Sequence, residues 1–151
     1  MRLALYQPDI PQNTGTILRL AACLGTPVEV IGPTGFALTD RALRRAGLDY
    51  LAHVELVRHP DFASFERALR GRGGRLVLLT TRADLVYCDF RFQHDDTLLL
   101  GRESAGVPSR VHASANARVR IPLRPQRRSL NVAVAAAMVL GEALRQTGGF
   151  S

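Results

Sequence analysis

The chain has 151 residues, 46% of them hydrophobic, enough for one domain with its own core and too few for two of ordinary size. Its 20 basic residues, all arginine, outnumber 13 acids for a net charge of +7, which by itself suits a polyanionic partner such as nucleic acid and a solvated basic face equally. There is no low-complexity segment or repeat, the start MRLALYQPDI lacks the layout of a signal peptide, and the most apolar stretch, Val132–Gly141, is about half the roughly 20 residues of a membrane span, so a cytoplasmic protein without membrane contact is expected.

Leu3–Tyr6 is the first of six short apolar runs bounded by turn residues. PDIPQNTG follows, and helical periodicity sets in over about Thr14–Leu24, with Asn13 as the expected N-cap and Gly25 and Pro27 closing it. Ile17, Leu20, Ala21 and Leu24 share one face. Arg19 lies roughly 200° around from Ile17, so it points away from that stripe toward solvent, a groove or another chain. Val28–Ile31 reads as a strand, Thr39–Ala46 as a helix closed by Gly47, Val54–Val57 as a strand and Asp61–Arg70 as a helix. Leu76–Thr80 and Thr97–Leu100 are apolar without alternation, as strands covered on both faces are. Val119–Leu123 precedes a last helix over about Leu130–Gln146, with Ser129 as its expected N-cap. In that helix VAVAAAMVLG has no polar side chain on any face, which predicts burial all round. A second copy of the chain is the expected cover, and a central helix in a three-layer sandwich is the alternative. The alternation of strands and helices gives an α/β fold over residues 1–151, one domain with a mainly parallel sheet and helices on both faces.

Ligands of such sheets collect at the carboxyl ends of the strands, where three loops carry unusual content: PDIPQNTG, GRESAGVP (Gly101–Pro108) and IPLRPQRRSLN (Ile121–Asn131). Gly101 offers bare backbone at a strand end. Glu103 is the sole acid in its neighbourhood, an ion-pair partner for an arginine or a group that orients Arg19. Ser129 and Asn131 flank the start of the final helix, where capping and ligand binding are compatible. No acid lies between Glu103 and Glu142, while Arg110, Arg118, Arg120, Arg124, Arg127 and Arg128 do. Cys23, Cys88 and the four histidines are scattered without ligand spacing, so no metal site is expected and the cysteines read as small buried or half-buried side chains. GxGxxG after the first strand, GxxxxGK[ST] and GxSxG are all missing.

Taken together and in this order, the three loops resemble the motifs of the SpoU (TrmH-like) branch of the SPOUT methyltransferases: PxNTGxxxR at Pro11–Arg19, GxExxGxP at Gly101–Pro108 and IPxxxxxxSLNVAVA at Ile121–Ala135. RRAGLDY (Arg44–Tyr50), in a chain without an extension domain, resembles the small TrmL subgroup, which methylates the ribose of the tRNA wobble nucleotide, a cytidine or modified uridine at position 34. The resemblance implies a C-terminal deep trefoil knot, a homodimer, S-adenosyl-L-methionine as cofactor and tRNA as partner. Periodicity would not have shown the knot, since threaded chains are nearly absent among folds. Carried over by residue, cofactor contacts fall on Leu79, Thr80, Gly101, Glu103, Ile121, Leu123, Ser129 and Leu130, and the polar active-site set on Asn13, Arg19, Glu103, Ser129 and Asn131. Arg19, Arg41, Arg44, Arg45, Arg127 and Arg128 are the expected RNA contacts, which position a backbone without reading its sequence.

The implied reaction is attack of a ribose 2′-oxygen on a sulfonium methyl. Arg19 would act as a permanent cation that stabilises the developing alkoxide, since a guanidinium does not deprotonate. Two departures from the subgroup, Gln7 in place of a frequent acid and the arginines of QRRS before Ser129, bear on RNA preference. The rival readings are ribose methylation at another tRNA or rRNA position, a non-catalytic RNA-binding module, which predicts a broken motif, and an enzyme acting on a small anionic metabolite, which leaves the motif order unexplained.

Overall fold

The computed structural model describes residues 1–39 and 41–150. Seven strands, β1 (Arg2–Tyr6), β2 (Val28–Ile31), β3 (Leu56–His59), β4 (Leu76–Leu79), β5 (Leu85–Val86), β6 (Thr97–Leu100) and β7 (Ala117–Arg120), form one sheet in the order β3-β2-β1-β6-β4-β7-β5. Every neighbouring pair is parallel. The helices are α1 (Pro11–Leu24), α2 (Arg41–Gly47), α3 (Phe62–Arg72), α4 (Ser109–Ser114) and α5 (Val132–Thr147).

The inner strands β1, β2, β4 and β6 are covered on both faces, which is why β4 and β6 are apolar without alternation. Leu3, Leu5, Val30, Val77, Leu98 and Leu100 pack with Ile17 and Leu18 of α1 and Val139 and Leu140 of α5. Ala4, Tyr6, Ile31, Leu78 and Leu99 turn to the other face and meet Phe62 and Phe65 of α3 and Val111 of α4. Phe65 is fully buried there, worth about 2–3 kcal/mol against exposure. The register aligns the strand ends: Leu5 lies opposite Leu100, Leu100 opposite Leu79 and Leu79 opposite Val119. The loops after β1, β6, β4 and β7 therefore leave the sheet side by side.

A buried carboxylate ties the far half of the sheet to α3. Glu29 on β2 is 1% exposed and accepts from Arg72 Nη1 and Nη2 (3.1 and 2.6 Å) and Arg2 Nε (3.2 Å), with His59 Nε2 at 2.8 Å. Burial alone would raise its pKa, but the hydrogen bonds from Arg72 and His59 and the nearby charges of Arg72 and Arg2 hold the carboxyl below the usual glutamate range.

Several boundaries differ from expectation for local reasons. α1 starts at Pro11, whose fixed φ and missing N–H suit a first helical position, so Asn13 lies inside the first turn and is not its N-cap; Ile10 occupies that place. α5 starts at Val132 and is capped by Asn131, not Ser129: Asn131 Oδ1 accepts from the N–H groups of Ala133 (2.8 Å) and Val134 (3.3 Å). The third strand runs over Leu56–His59 rather than Val54–Val57, because a 3-10 turn at Leu48–His53 takes up the chain before it. α2 begins at Arg41; Asp40, within the expected Thr39–Ala46 helix, lies outside the described residues. β5 and α4, two and six residues long, are too short for periodicity to reveal. Cys23 and Cys88 are exposed, not buried. Within one chain α5 is not covered all round: Val139, Leu140 and Ala143 are fully buried, whereas Val134 is 49% and Met138 39% exposed.

Candidate active site

A cavity of about 670 Å³ opens at the carboxyl ends of β4, β6 and β7, the place where parallel α/β sheets bind ligands and a volume typical of such sites. Leu78, Leu79, Leu100 and Val119 form its strand-end floor. The 101–107 loop stands on one side and the 121–132 segment, which begins after β7 and ends in the first residue of α5, on another. Leu79, Thr80, Gly101, Glu103, Ile121, Leu123, Ser129 and Leu130 all line it, as do Asn13 and Asn131. Arg19, Arg41, Arg44, Arg45, Arg127 and Arg128 do not.

Pro11 at the helix start sets the phase of α1 so that Asn13 looks across the strand ends rather than back at its own backbone. Asn131 Nδ2 donates to Asn13 Oδ1 (2.9 Å), and Asn13 Nδ2 donates to Glu103 Oε1 (3.4 Å). Glu103 Oε2 accepts the backbone N–H of Asp9 at 2.9 Å. One polar string thus joins all three motif loops. Glu103 forms no ion pair among the described residues and makes no hydrogen bond to Arg19 of its own chain. The neighbouring cation, Arg102, pairs instead with Asp9, Nη2 to Oδ2 at 3.3 Å, and Ser104 Oγ donates to the same oxygen. Hydrogen bonding to Glu103 and Ser104, with the Arg102 charge, pulls the Asp9 carboxyl down to about 2; burial and the adjacent Asp9 push Glu103 up. The pair therefore separates into an ionised Asp9 and a Glu103 that takes up a proton more readily than an ordinary glutamate.

Gly101 is needed by the loop before any ligand arrives. A Cβ there would stand 2.7 Å from the Cα of Gly106, where the loop returns on itself through Arg102 N–H to Gly106 O (3.0 Å) and Gly106 N–H to Arg102 O (2.8 Å). Gly106 closes the turn with φ +62°, a left-handed conformation that favours glycine.

Arg19 projects from the exposed face of α1, its guanidinium carbon 5.0 Å from the centroid of the Tyr50 ring. The acid-free arginine run is partly used within the fold. Arg110 pairs with Glu66 (3.3 Å), and Arg118 donates to the carbonyls of His112, Ala113 and Ala115 at the end of α4. Among the described residues Arg120, Arg124, Arg127 and Arg128 carry no ion pair, and no three His, Cys, Asp or Glu side chains are grouped to hold a metal. Sequence reasoning passed over Asp9, Arg102 and Ser104; their signal was an acid in PDIP and an arginine beside the lone glutamate in GRES, on loops leaving adjacent parallel strands.

The chain is 64% identical, over 99% of its own length and 93% of the relative, to a tRNA (cytidine(34)-2'-O)-methyltransferase of Beijerinckia indica subsp. indica. A structure solved for insight into the 2-OH methylation of C/U34 on tRNA matches with a TM-score of 0.91 and 46% identity, over 96% of this chain and 94% of that one. The SpoU methyltransferase AviRb from Streptomyces viridochromogenes, solved in complex with AdoMet, matches with a TM-score of 0.86 and 30% identity, over 97% of this chain and 57% of its own. The model of the SpoU rRNA Methylase family matches residues 1–141, a span that takes in all three strand-end loops, and the chain therefore belongs to that family.

Proposed function

We propose that the protein transfers a methyl group from S-adenosylmethionine to the ribose 2′-OH of the wobble nucleotide of tRNA, position 34, a cytidine or modified uridine. The observation that carries this reading is the Asn131–Asn13–Glu103 string along the wall of the strand-end cavity, in a chain so close to named tRNA (cytidine(34)-2'-O)-methyltransferases. The residues present fit the cofactor: an apolar floor suits a purine, and three loops bring backbone and side-chain polar groups to its rim. Leu79, Ile121, Leu123 and Leu130 would enclose it, with Thr80, Gly101, Glu103 and Ser129 meeting its polar parts. When bound it supplies a methyl carbon already activated by positive sulfur.

The chain's own residues then have to align the 2′-oxygen and manage its proton. Asn13 and Asn131, each fixed by the other, define the polar wall against which a ribose edge is placed. Arg19 stays charged and acts on the adjacent phosphate and the developing alkoxide, while phosphate or water takes the proton. Because Arg19 stands outside the cavity of its own chain, we read the active unit as a homodimer. A second copy covers the exposed Ile10, Leu130, Val134 and Met138, and Arg19 of one copy serves the cavity of the other. Arg41, Arg44, Arg45, Arg127 and Arg128 are the phosphate contacts. The proposal includes one cytoplasmic domain and a C-terminal trefoil knot, in keeping with the return of the segment after β7 to Asn13 of α1 through Asn131.

Incubation with methyl-labelled S-adenosylmethionine and unmodified tRNA tests the reaction, since a 2′-O-methyl group blocks alkaline cleavage at its own nucleotide. Label is expected in an alkali-resistant dinucleotide; label released in mononucleotides would place the methyl on a base and overturn the reading.

A further inference from the structure

We propose that Asp9 is a positioning residue for methyl transfer, clamping the Arg102–Ser104 turn to the loop after β1 and thereby holding the Glu103 carboxyl against Asn13. The proposal rests on the reading above, in which Glu103 serves the transfer site. Asp9 itself does not line the cavity. Its contacts nevertheless converge on the turn that carries Glu103: the backbone N–H is 2.9 Å from Glu103 Oε2, and Oδ2 takes both Arg102 Nη2 (3.3 Å) and Ser104 Oγ. The residues on either side of Glu103 are held by the Asp9 carboxylate, and Glu103 by the Asp9 main chain. Charge-assisted bonds of this kind fix geometry more strongly than neutral ones.

Asp9 is in turn held from behind. A Cβ on Gly35 would stand 2.8 Å from Asp9 Cβ and 2.9 Å from its Cα, and Gly35 N–H donates to Pro8 O at 2.9 Å. Backbone on one side and the turn on the other leave Asp9 a single place. From there the geometry runs onward without a gap, through Glu103 Oε1 to Asn13 and from Asn13 to the Asn131 cap of α5. Displacing the clamp would shift a polar wall of the site without removing any of its members.

The test compares full-length wild-type protein with Asp9→Asn, which keeps the side-chain shape, and Gly35→Ala, which pushes on Asp9 without altering it or Glu103. Both should lower kcat about tenfold or more while leaving the KM for tRNA within about threefold, the signature of lost alignment. In a Glu103→Gln background Asp9→Asn should cost less than about twofold, because both changes act through one group. The same factor in both backgrounds would overturn the proposal. A readout free of catalysis separates this from the functional reading: amide hydrogen exchange across residues 101–106 should be about tenfold faster in Asp9→Asn. Unchanged exchange overturns the clamp even if methyl transfer is confirmed. Absent methyl transfer by wild type with the exchange difference present overturns the functional reading and, with it, the role assigned to the clamp.

Discussion

Gly101→Ala is the substitution whose consequence the structure fixes most tightly. The new Cβ would lie 2.7 Å from Gly106 Cα and 2.8 Å from its carbonyl carbon, both main chain, so no side-chain rotation relieves the contact. Reaching the 3.4 Å of ordinary contact requires the returning limb to move by about 0.7 Å, which strains the two Arg102–Gly106 hydrogen bonds. Overpacking of this kind costs about 1–3 kcal/mol and each weakened bond up to about 1 kcal/mol more. A total near 3 kcal/mol should lower Tm by roughly 6–12 °C in a chain of this size. The displaced loop also carries Glu103 and borders the cavity, so S-adenosylhomocysteine binding measured by calorimetry should weaken about tenfold or more. A variant that melts within about 2 °C of wild type and binds the ligand normally would refute the close-packed loop.

Arg19→Lys keeps the charge but loses the planar guanidinium fork that lies over Tyr50, and should reduce kcat by about tenfold to a hundredfold with cofactor affinity unchanged, checked by steady-state kinetics and calorimetry. Asn131→Ala removes the α5 cap and should cost about 1–2 kcal/mol in denaturant unfolding, whereas Ser129→Ala should leave stability unaltered. Glu29→Gln leaves Arg2 and Arg72 under-paired; since both reach solvent, the expected loss is about 2 kcal/mol near neutral pH. The folded pKa of Glu29 is lowered, so its contribution is present above the ordinary glutamate value of 4.5 and is lost as pH falls below it. The variant should therefore show a shallower acid limb in stability against pH. Met138→Glu places a charge on the open face of α5 and should turn a dimer into a monomer by sedimentation without lowering Tm of the isolated fold.

The middle of the sheet was legible because β1, β2, β4 and β6 are buried on both faces and read as short, mainly apolar runs; β3 and β7, more open and carrying arginines, were read with shifted bounds, and β5, with two residues, escaped. The helix starts were read less well. Asn13 and Ser129 have the residue types of caps, but Pro11 moved one start forward and Asn131 displaced Ser129 at the other, choices decided by φ restriction and by which side chain reaches two N–H groups. The cavity residues were found through the resemblance that motif order carries, and the fold gathers ten of them, Asn13 and the nine from Leu79 to Asn131, on one cavity. The Asp9–Arg102 pairing was not legible, since it depends on β1 and β6 being neighbours although they lie far apart in sequence. Nor was the Arg110–Glu66 pair, which supplies from α3 the acid that the local sequence lacks.

The most direct test of the central claim is nuclease digestion and mass spectrometry of tRNA methylated by the purified protein with labelled S-adenosylmethionine. The account predicts a single added methyl on the ribose of the first anticodon nucleotide. A methyl confined to another nucleotide, or to a base, would contradict it.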